Sequence, residues 1–193
     1  MKRNKAYKAF NPRYAKKKDG MYIVPVERIK TLYDGRYCAV VGFFFGVVEG
    51  KLCILANKRG KGTPDYQGYW NCPCGYLERG ENSIQGVIRE TQEECGVRVD
   101  PDKVKIIHVE TEPEKCENGN VTIHHYAFLG KQVRILPICA DNIITNEPEE
   151  VEIAKWVPVD KIDGYKWAFG HLEIIKELLP NKLERLYWEQ KYK

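Results

Sequence analysis

Residues 75–97 read GYLERGENSIQGVIRETQEECGV, and their pattern predicts a helix over 83–95. Apolar or core-compatible side chains recur three and four residues apart and make one mostly apolar face. These side chains are Ile84, Val87, Ile88, Thr91 and Cys95. Asn82 or Ser83 can cap the start of the helix, and Gly96 can take the left-handed conformation that ends it.

Three glutamates of this predicted helix, Glu90, Glu93 and Glu94, stand three and four residues apart, so their carboxylates share one side. Like charges at that spacing destabilise a helix by roughly 0.2–0.5 kcal/mol per pair. A hard divalent cation prefers carboxylate oxygens and would turn the repulsion into coordination. Taken alone, the three glutamates also fit a solvated acidic face, which is the commoner role of charged side chains.

The wider spacing favours a metal-binding role. Seven residues follow the pattern Gly-x5-Glu-x7-Arg-Glu-x2-Glu-Glu-x-Gly: Gly75, Glu81, Arg89, Glu90, Glu93, Glu94 and Gly96. At an average usage of about one in fifteen per position, a chance match at a given start has a probability on the order of 10^-8. The pattern resembles the signature of the Nudix hydrolase family, and the similarity covers roughly residues 37–178. Residues 68–75, GYWNCPCG, are similar to the Gly-x-Trp-x-x-Pro-Gly-Gly segment that precedes this signature in the family.

The resemblance implies an α/β fold, an α/β/α sandwich around a mixed central sheet, in which the signature forms a loop–helix–loop. It implies hydrolysis of a nucleoside diphosphate linked to another moiety, X, with Mg²⁺ or Mn²⁺. ADP-ribose or a related nucleoside diphosphosugar is the first expectation for this nucleotide substrate. Homodimers are common among similar proteins.

Carried over by position, the resemblance assigns metal binding to Glu90, Glu93 and Glu94. Arg89 would orient Glu90 or Glu93 through charge-assisted hydrogen bonds, and Glu81 would be a supporting carboxylate. Cleavage of a diphosphate needs its charge neutralised, a water deprotonated near pH 7 and the leaving phosphate stabilised. Cations held by carboxylates meet all three needs.

A further glutamate from a downstream loop often completes such a site as a base or an extra ligand. The candidate is Glu150, which lies six residues before Trp156. The alternatives in the same segment are Glu147, Glu149 and Glu152.

Cys74 replaces the first glycine of the family's Pro-Gly-Gly segment. In similar proteins the backbone carbonyl at this position can bind a metal, so Cys74 is a candidate metal ligand through its carbonyl. Glycine allows dihedral angles there that cysteine tolerates poorly. A nucleophilic Cys74 thiol is an alternative, although nothing nearby in the sequence lowers its pKa.

Substrate contacts are predicted from a loop over 59–68, which is rich in Gly, Lys, Pro and Asp. Arg59, Lys61 and Tyr66 could contact phosphate or base, or could belong to a solvated loop.

A second substrate contact is predicted at Phe169. Residues 168–171, AFGH, are similar to an Ala-Phe-Asp-His segment of some ADP-ribose-type Nudix proteins, with Gly170 for the aspartate. Phe169 and His171 could instead pack within a helix, which is the commoner role of such residues.

The remaining apolar runs predict the other elements. Strands are expected at 22–26, 37–48, 52–56, 104–109, 121–129, 133–138 and 151–157, and helices at 167–179 and 183–192. The run over 37–48 suits a central strand buried on both faces. A turn or short helix is expected at 27–33 and a loop at 142–150.

The 193 residues fit one domain with modest additions, predicted as a basic arm over 1–20, a Nudix-like domain over 21–180 and a helix over 181–193. Eight of the 31 basic residues lie in 1–18 with no acid, so the rest of the chain has 23 basic and 27 acidic residues. Tyr7, Phe10 and Tyr14 interleave with these charges. The arm could contact RNA or an acidic partner, or be a solvated tail. Its composition motivates RNA 5′-end pyrophosphate removal as a second enzymatic hypothesis, and a nucleotide sensor without catalysis is a third.

Seven cysteines at irregular spacing favour reduced thiols and a cytoplasmic protein. No apolar run approaches the roughly 18 residues of a membrane span, so no membrane contact is expected. The Cys72–Cys74 pair is too close for a structural zinc site and has no second pair at suitable spacing.

Overall fold

The structure, a computed structural model, describes residues 16–18, 21–23, 36–116, 119–132 and 149–193. Its strands are β1 Lys16–Lys18, β2 Met21–Ile23, β3 Cys38–Val48, β4 Lys51–Arg59, β5 Trp70–Asn71, β6 Cys74–Tyr76, β7 Lys105–Glu110, β8 Val121–Lys131 and β9 Val151–Pro158. Its helices are α1 Ser83–Cys95, α2 His171–Leu178 and α3 Lys182–Lys191. None of these helices is long and apolar enough to cross a membrane.

The chain divides into two compact units, Met1–Arg36 and Tyr37–Lys193. In the first unit, β1 and β2 pair as antiparallel strands, and β2 overlaps the strand predicted at 22–26. The predicted strand at 133–138, the turn at 27–33, most of the loop at 142–150 and most of the basic arm lie outside the described residues.

Seven strands of the second unit form one mixed sheet in the order β5-β4-β3-β8-β7, with β6 also paired to β3 and β9 to β4. β3 and β8 run parallel, whereas the other pairs are antiparallel. β3 lies at the centre of the sheet, as its continuous apolar run predicts, and most of its residues are buried.

Alternate residues of β3 contribute to two separate apolar clusters, one on each face of the sheet. Val41, Phe43, Phe45 and Val47 pack with residues of α2 and α3. Val40, Phe44 and Val48 pack with residues of α1. The sheet therefore lies between two helical layers, which confirms the predicted α/β class and the sandwich.

Helix α1 has the predicted bounds because its local signals agree. The Asn82 side chain accepts a hydrogen bond from the Gln85 N–H, and the Gln85 side chain accepts from the Asn82 N–H at 2.9 Å. Gly96 ends the helix with a φ of 65°. Thr91, where the family has an aliphatic residue, is fully buried and its Oγ1 donates to the Val87 carbonyl at 2.6 Å.

The predicted helix over 167–179 is wrong at its start, because α2 begins only at His171. Ala168 donates its N–H to the Trp70 carbonyl at 2.8 Å, which ties this segment to β5. Phe169 and Gly170 then take left-handed conformations, with φ of 59° and 67°. Two such residues in succession cannot continue a right-handed helix.

Helix α3 packs against the same unit as the sheet. The Trp188 ring stacks on the Phe128 ring at 4.1 Å between centroids, and the Glu189 carboxylate accepts from the Leu52 N–H at 3.0 Å. The second unit therefore extends to the end of the given sequence.

Candidate active site

Arg89 gathers the carboxylates of the signature around one guanidinium. Its Nε and Nη2 donate to Glu81 at 3.1 and 2.8 Å. Its Nη1 donates to Glu90 and to Glu93, both at 2.8 Å, and Nη2 also donates to the Tyr76 carbonyl at 3.1 Å. These bonds fix the guanidinium plane and with it the positions of three carboxylates.

The two ends of this network differ electrostatically. The hydrogen bond from Arg89 is the largest influence on Glu81 and lowers the pKa of that carboxyl. Burial raises the pKa of Glu90 to about 6, although the charge and hydrogen bond of Arg89 oppose the shift. Glu90 is therefore the carboxylate of the network that the protein solvates least well.

Gly75 on β6 leaves the space in which the Glu90 carboxylate lies. A Cβ at this position would come within 2.2 Å of Glu90 Oε1. The glycine that opens the signature thus allows the helix to place a carboxylate against the backbone of β6.

Glu94 lies one helical turn further along α1 and has its own partners. Its Oε2 accepts from Asn57 Nδ2 at 2.9 Å and from the backbone N–H of Cys74 at 3.0 Å. Desolvation, followed by the negative charge of Glu90, raises the pKa of Glu94 well above its usual range. The two hydrogen bonds orient the carboxyl group, and a nearby positive charge would favour its ionised form.

The donor set of this site suits a hard divalent cation. The charge of Glu90 disfavours ionisation of Glu94, and a cation bound by both carboxylates would remove that cost. Glu93 is turned towards Arg89, and among the described residues no three His, Cys, Asp or Glu side chains form a ready metal cage. The residues fit such a cation in ligand chemistry, and Glu90 and Glu94 are the carboxylates that could hold it.

The Cys74 thiol is unsuited to a nucleophilic role. Desolvation and the charge of Glu94 raise its pKa, while a hydrogen bond from Asn71 Nδ2 at 3.2 Å opposes the shift. The thiolate is therefore scarce at neutral pH. Its backbone, in contrast, touches the site directly through the N–H that donates to Glu94.

Glu150, the predicted downstream glutamate, acts on Glu94 through its charge. Its negative charge contributes to the raised pKa of Glu94. Its backbone carbonyl accepts from the Gly60 N–H at 2.7 Å, so the segment before β9 is tied to the loop after β4. Of the alternatives, Glu152 pairs with Lys58 at 2.7 Å on the surface, and Glu147 lies outside the described residues.

Three of the four predicted substrate contacts come together beside this site. The Arg59 guanidinium lies 4.8 Å from the centre of the Phe169 ring, and the Tyr66 ring lies 4.8 Å from Phe169 in an edge-to-face contact. The charge of Arg59 lowers the pKa of Glu94, so the guanidinium acts electrostatically on this carboxyl group. Lys61 is exposed, and the structure shows no contact of its side chain with these groups in the described part of the chain.

Two asparagines of the site were not predicted from the sequence. Asn57 lies just beyond the strand predicted at 52–56, and β4 in fact runs on to Arg59, so Asn57 becomes a buried partner of Glu94. Asn71 is fully buried, and within the described residues its Oδ1 has no hydrogen-bond partner. A polar residue at the end of an apolar strand was the available signal for Asn57.

A family model of the NUDIX domain matches residues 38–178. The chain belongs to the Nudix hydrolase family. The match contains β3 to β9 and α1 and α2, and so includes every residue of the site just described.

Two curated relatives are about 30% identical to this chain over the aligned residues. Nudix hydrolase 6 of Arabidopsis thaliana is 31% identical over 111 residues, which are 55% of this chain and 33% of that protein. The RNA pyrophosphohydrolase of Hydrogenovibrio crunogenus is 30% identical over 134 residues, which are 61% of this chain and 80% of that protein. This Nudix chain therefore matches only a third of the first relative but most of the second.

Solved Nudix structures share the fold. The NUDIX domain of Shewanella oneidensis NrtR, crystallised with ADP ribose, superposes with a TM-score of 0.60 at 20% identity and covers 80% of this chain and 96% of that one. A bifunctional NMN adenylyltransferase/ADP ribose pyrophosphatase from Francisella tularensis, crystallised with AMP and a Mn ion, gives 0.51 at 20% identity and covers 79% and 43%.

Proposed function

We propose that this Nudix protein hydrolyses the diphosphate of a nucleoside diphosphate linked to a second moiety, with ADP-ribose or a related nucleoside diphosphosugar as its substrate. The observation that carries the proposal is the pair Glu90 and Glu94, held by separate partners and desolvated beside Arg59. Desolvated carboxylates can bind a metal ion, and the fixed guanidinium of Arg59 can bind phosphate. Together they suit a phosphate-containing substrate that is cleaved with a metal.

Mg²⁺ or Mn²⁺ would be held by the carboxylates of Glu90 and Glu94 and by the backbone carbonyl of Cys74. Glu93 would join them once its carboxylate leaves Arg89. When bound, such a cation would supply charge neutralisation for the phosphates and would lower the pKa of a water molecule. Arg89 and Glu81 keep the ligand carboxylates in place, and Asn57 keeps Glu94 oriented. Glu150, whose charge acts on Glu94, is the proposed base or additional ligand.

Arg59, Tyr66 and Phe169 would bind the nucleotide next to the cleaved bond. The Phe169 ring and the Asp65 carboxylate hold the Arg59 guanidinium in position. Arg59 would then offer a charge-assisted contact to phosphate. Tyr66 and Phe169 offer ring faces or edges to a base or ribose. Lys61 would join them by reaching for an outer phosphate. The structural likeness to a NUDIX domain bound to ADP ribose supports the first choice of substrate.

Phosphate release, coupled to a phosphatase, across a panel of nucleotides with Mg²⁺ and with Mn²⁺ tests the proposal. The wild type should turn over one class of substrate strongly. Glu94→Gln keeps an oxygen for Asn57 and Cys74 but removes the charge, so we expect turnover to fall by about 10²–10³-fold with the fold intact. Glu152→Gln, on the surface, is the matched control and should leave the rate unchanged.

Failure on every nucleotide, with ADP-ribose binding intact in calorimetry, would reject hydrolysis and favour a sensor. Equal rates for Glu94→Gln and the wild type would reject the metal-binding role of Glu94.

A second candidate is removal of pyrophosphate from RNA 5′ ends. Two observations favour it: the relative named RNA pyrophosphohydrolase matches over 80% of its length, and residues 1–18 carry eight basic and no acidic side chains. A basic segment with aromatic residues between the charges can bind a single strand through phosphates and stacked bases.

A further inference from the structure

Strand β7 leaves large apolar side chains in solvent at the edge of the sheet. It pairs with β8 on one side, and the described residues supply no strand on its other side. Ile106, Ile107 and Val109 are 51%, 40% and 47% exposed. Lysines and bulges often protect edge strands against pairing with other chains, and β7 has both. Such protection does not account for three exposed apolar residues in a strand of six.

A bulge at Ile107 determines which β7 side chains share a face. Ile106 pairs with His125 and Val109 with Ile123, and the register shifts between these two pairs. Because His125 and Ile123 are two residues apart on β8, Ile106 and Val109 lie on one face of the sheet. The same register puts the other three paired residues of β7 on the second face of the sheet. These are Lys105, His108 and Glu110, which pair with Tyr126, His124 and Thr122 of β8.

The six residues of β7, KIIHVE, are complementary to themselves when the strand meets a second copy in antiparallel orientation. With the two-fold axis between Ile107 and His108, Lys105 faces Glu110 and Ile106 faces Val109. Residues opposite each other across two strands must share a face. In a regular strand these pairs have odd separations and would lie on opposite faces, so the bulge is what makes this register possible.

We propose that two copies of this chain associate through β7, forming an antiparallel edge-to-edge contact that joins their sheets. Lys105 of each copy lies opposite Glu110 of the other, and Ile106 lies opposite Val109. The interaction is isologous and closes after two copies. It is independent of the proposed function.

Charge selects the antiparallel arrangement over a parallel one. Basic residues, Lys103 and Lys105, stand at the start of this segment and acidic residues, Glu110 and Glu112, at its end. An antiparallel copy brings the basic end of each segment to the acidic end of the other, with Lys105 opposite Glu110. A parallel copy would bring like charges together, which is unfavourable between strands.

Sedimentation equilibrium of the full chain tests the contact. We expect a concentration-dependent dimer for the wild type. Lys105→Glu places two carboxylates opposite each other at both ends of the contact, and Glu110→Lys does the same with two ammonium groups. Each variant alone should weaken dimerisation on the order of tenfold or more. An equimolar mixture should recover the dimer, because the two variants then present opposite charges at both ends.

Ile106→Lys should also give a monomer, while Leu183→Lys, at the most exposed apolar position of α3, is the matched control and should leave the dimer intact. Recovery in the mixture shows that the charge variants are folded. A wild type that stays monomeric up to roughly 100 μM would overturn the proposal, as would a dimer that none of the β7 substitutions weakens. Monomeric wild type with slow amide exchange in β7 would show that another segment of the chain covers the edge.

Discussion

At the scale of single residues, His171 packs between Phe169 of the site and Phe43 of the core. It is 2% exposed, and its Nδ1 accepts the backbone N–H of Cys72 at 3.0 Å. Its ring lies 5.6 Å from that of Phe43. Burial, followed by the charges of His124 and Arg59, lowers the pKa of His171 to about 3. An imidazole that accepts a hydrogen bond in an apolar setting is neutral at physiological pH.

This neutral histidine makes the free energy of unfolding depend on pH. The pKa is lower in the folded state than the unfolded value of about 6.5, so the unfolded state binds the proton first. The stabilisation is complete above pH 6.5 and is lost as the pH falls towards 3. Between pH 7 and pH 5 we expect His171 to account for about 2 kcal/mol of lost stability.

Urea unfolding of the wild type and of His171→Asn at both pH values measures this contribution. Asparagine keeps an acceptor near the position of Nδ1 but does not titrate. His124, with its pKa lowered to about 4, and His125 contribute equally to both proteins. An equal loss of stability in the two proteins would contradict the assignment to His171.

Sequence reasoning was sufficient for contacts that follow from charge and spacing within one helix. Arg89 was expected to orient Glu90 or Glu93, and the structure places its guanidinium on both. It was insufficient for Asn57, because the pairing of Asn57 with Glu94 joins residues 37 positions apart through the sheet. No local pattern encodes a contact of that kind, since it depends on how the helix packs across two strands.

At the scale of elements, local sequence was sufficient to predict α1 but not the start of α2. The bounds of α1 were predictable because cap residues, apolar period and C-terminal glycine all indicate the same limits. The start of α2 was not, because Ala168 hydrogen bonds to β5, which is distant in sequence. The two left-handed residues before α2 turn Phe169 towards Arg59 and Tyr66 instead of along the helix.

The cap of α1 can be tested apart from the site. Asn82→Ala removes the acceptor for the Gln85 N–H, and we expect it to lower the free energy of unfolding by about 1 kcal/mol. Asn82→Asp keeps an acceptor oxygen and should restore most of that stability. Chemical denaturation measures both, and the rate of nucleotide hydrolysis well below the melting temperature should be unaffected. A cap variant as stable as the wild type would mean that packing alone fixes this end of the helix.

At the scale of the whole molecule, charge and site are separated along the chain. The residues proposed for metal and substrate all lie within the unit over 37–193, whereas the net positive charge arises from residues 1–18. Removing those residues changes the formal net charge from +4 to −4. The contacts proposed for a small nucleotide all come from residues within 37–193. An RNA chain extends beyond the site and can reach further cations.

The deletion of residues 1–18 therefore discriminates between the two candidate substrates. If RNA 5′ ends are the substrate, the deletion should slow turnover of triphosphorylated RNA by about tenfold or more and flatten its dependence on salt, while the rate on ADP-ribose stays the same. A full-length variant with the eight Lys and Arg residues of this segment replaced by Gln keeps Tyr7, Phe10 and Tyr14, and so separates charge from stacking. Unchanged rates on RNA for both proteins would reject the RNA substrate and leave the small nucleotide, because a site that lies entirely within 37–193 does not need the arm.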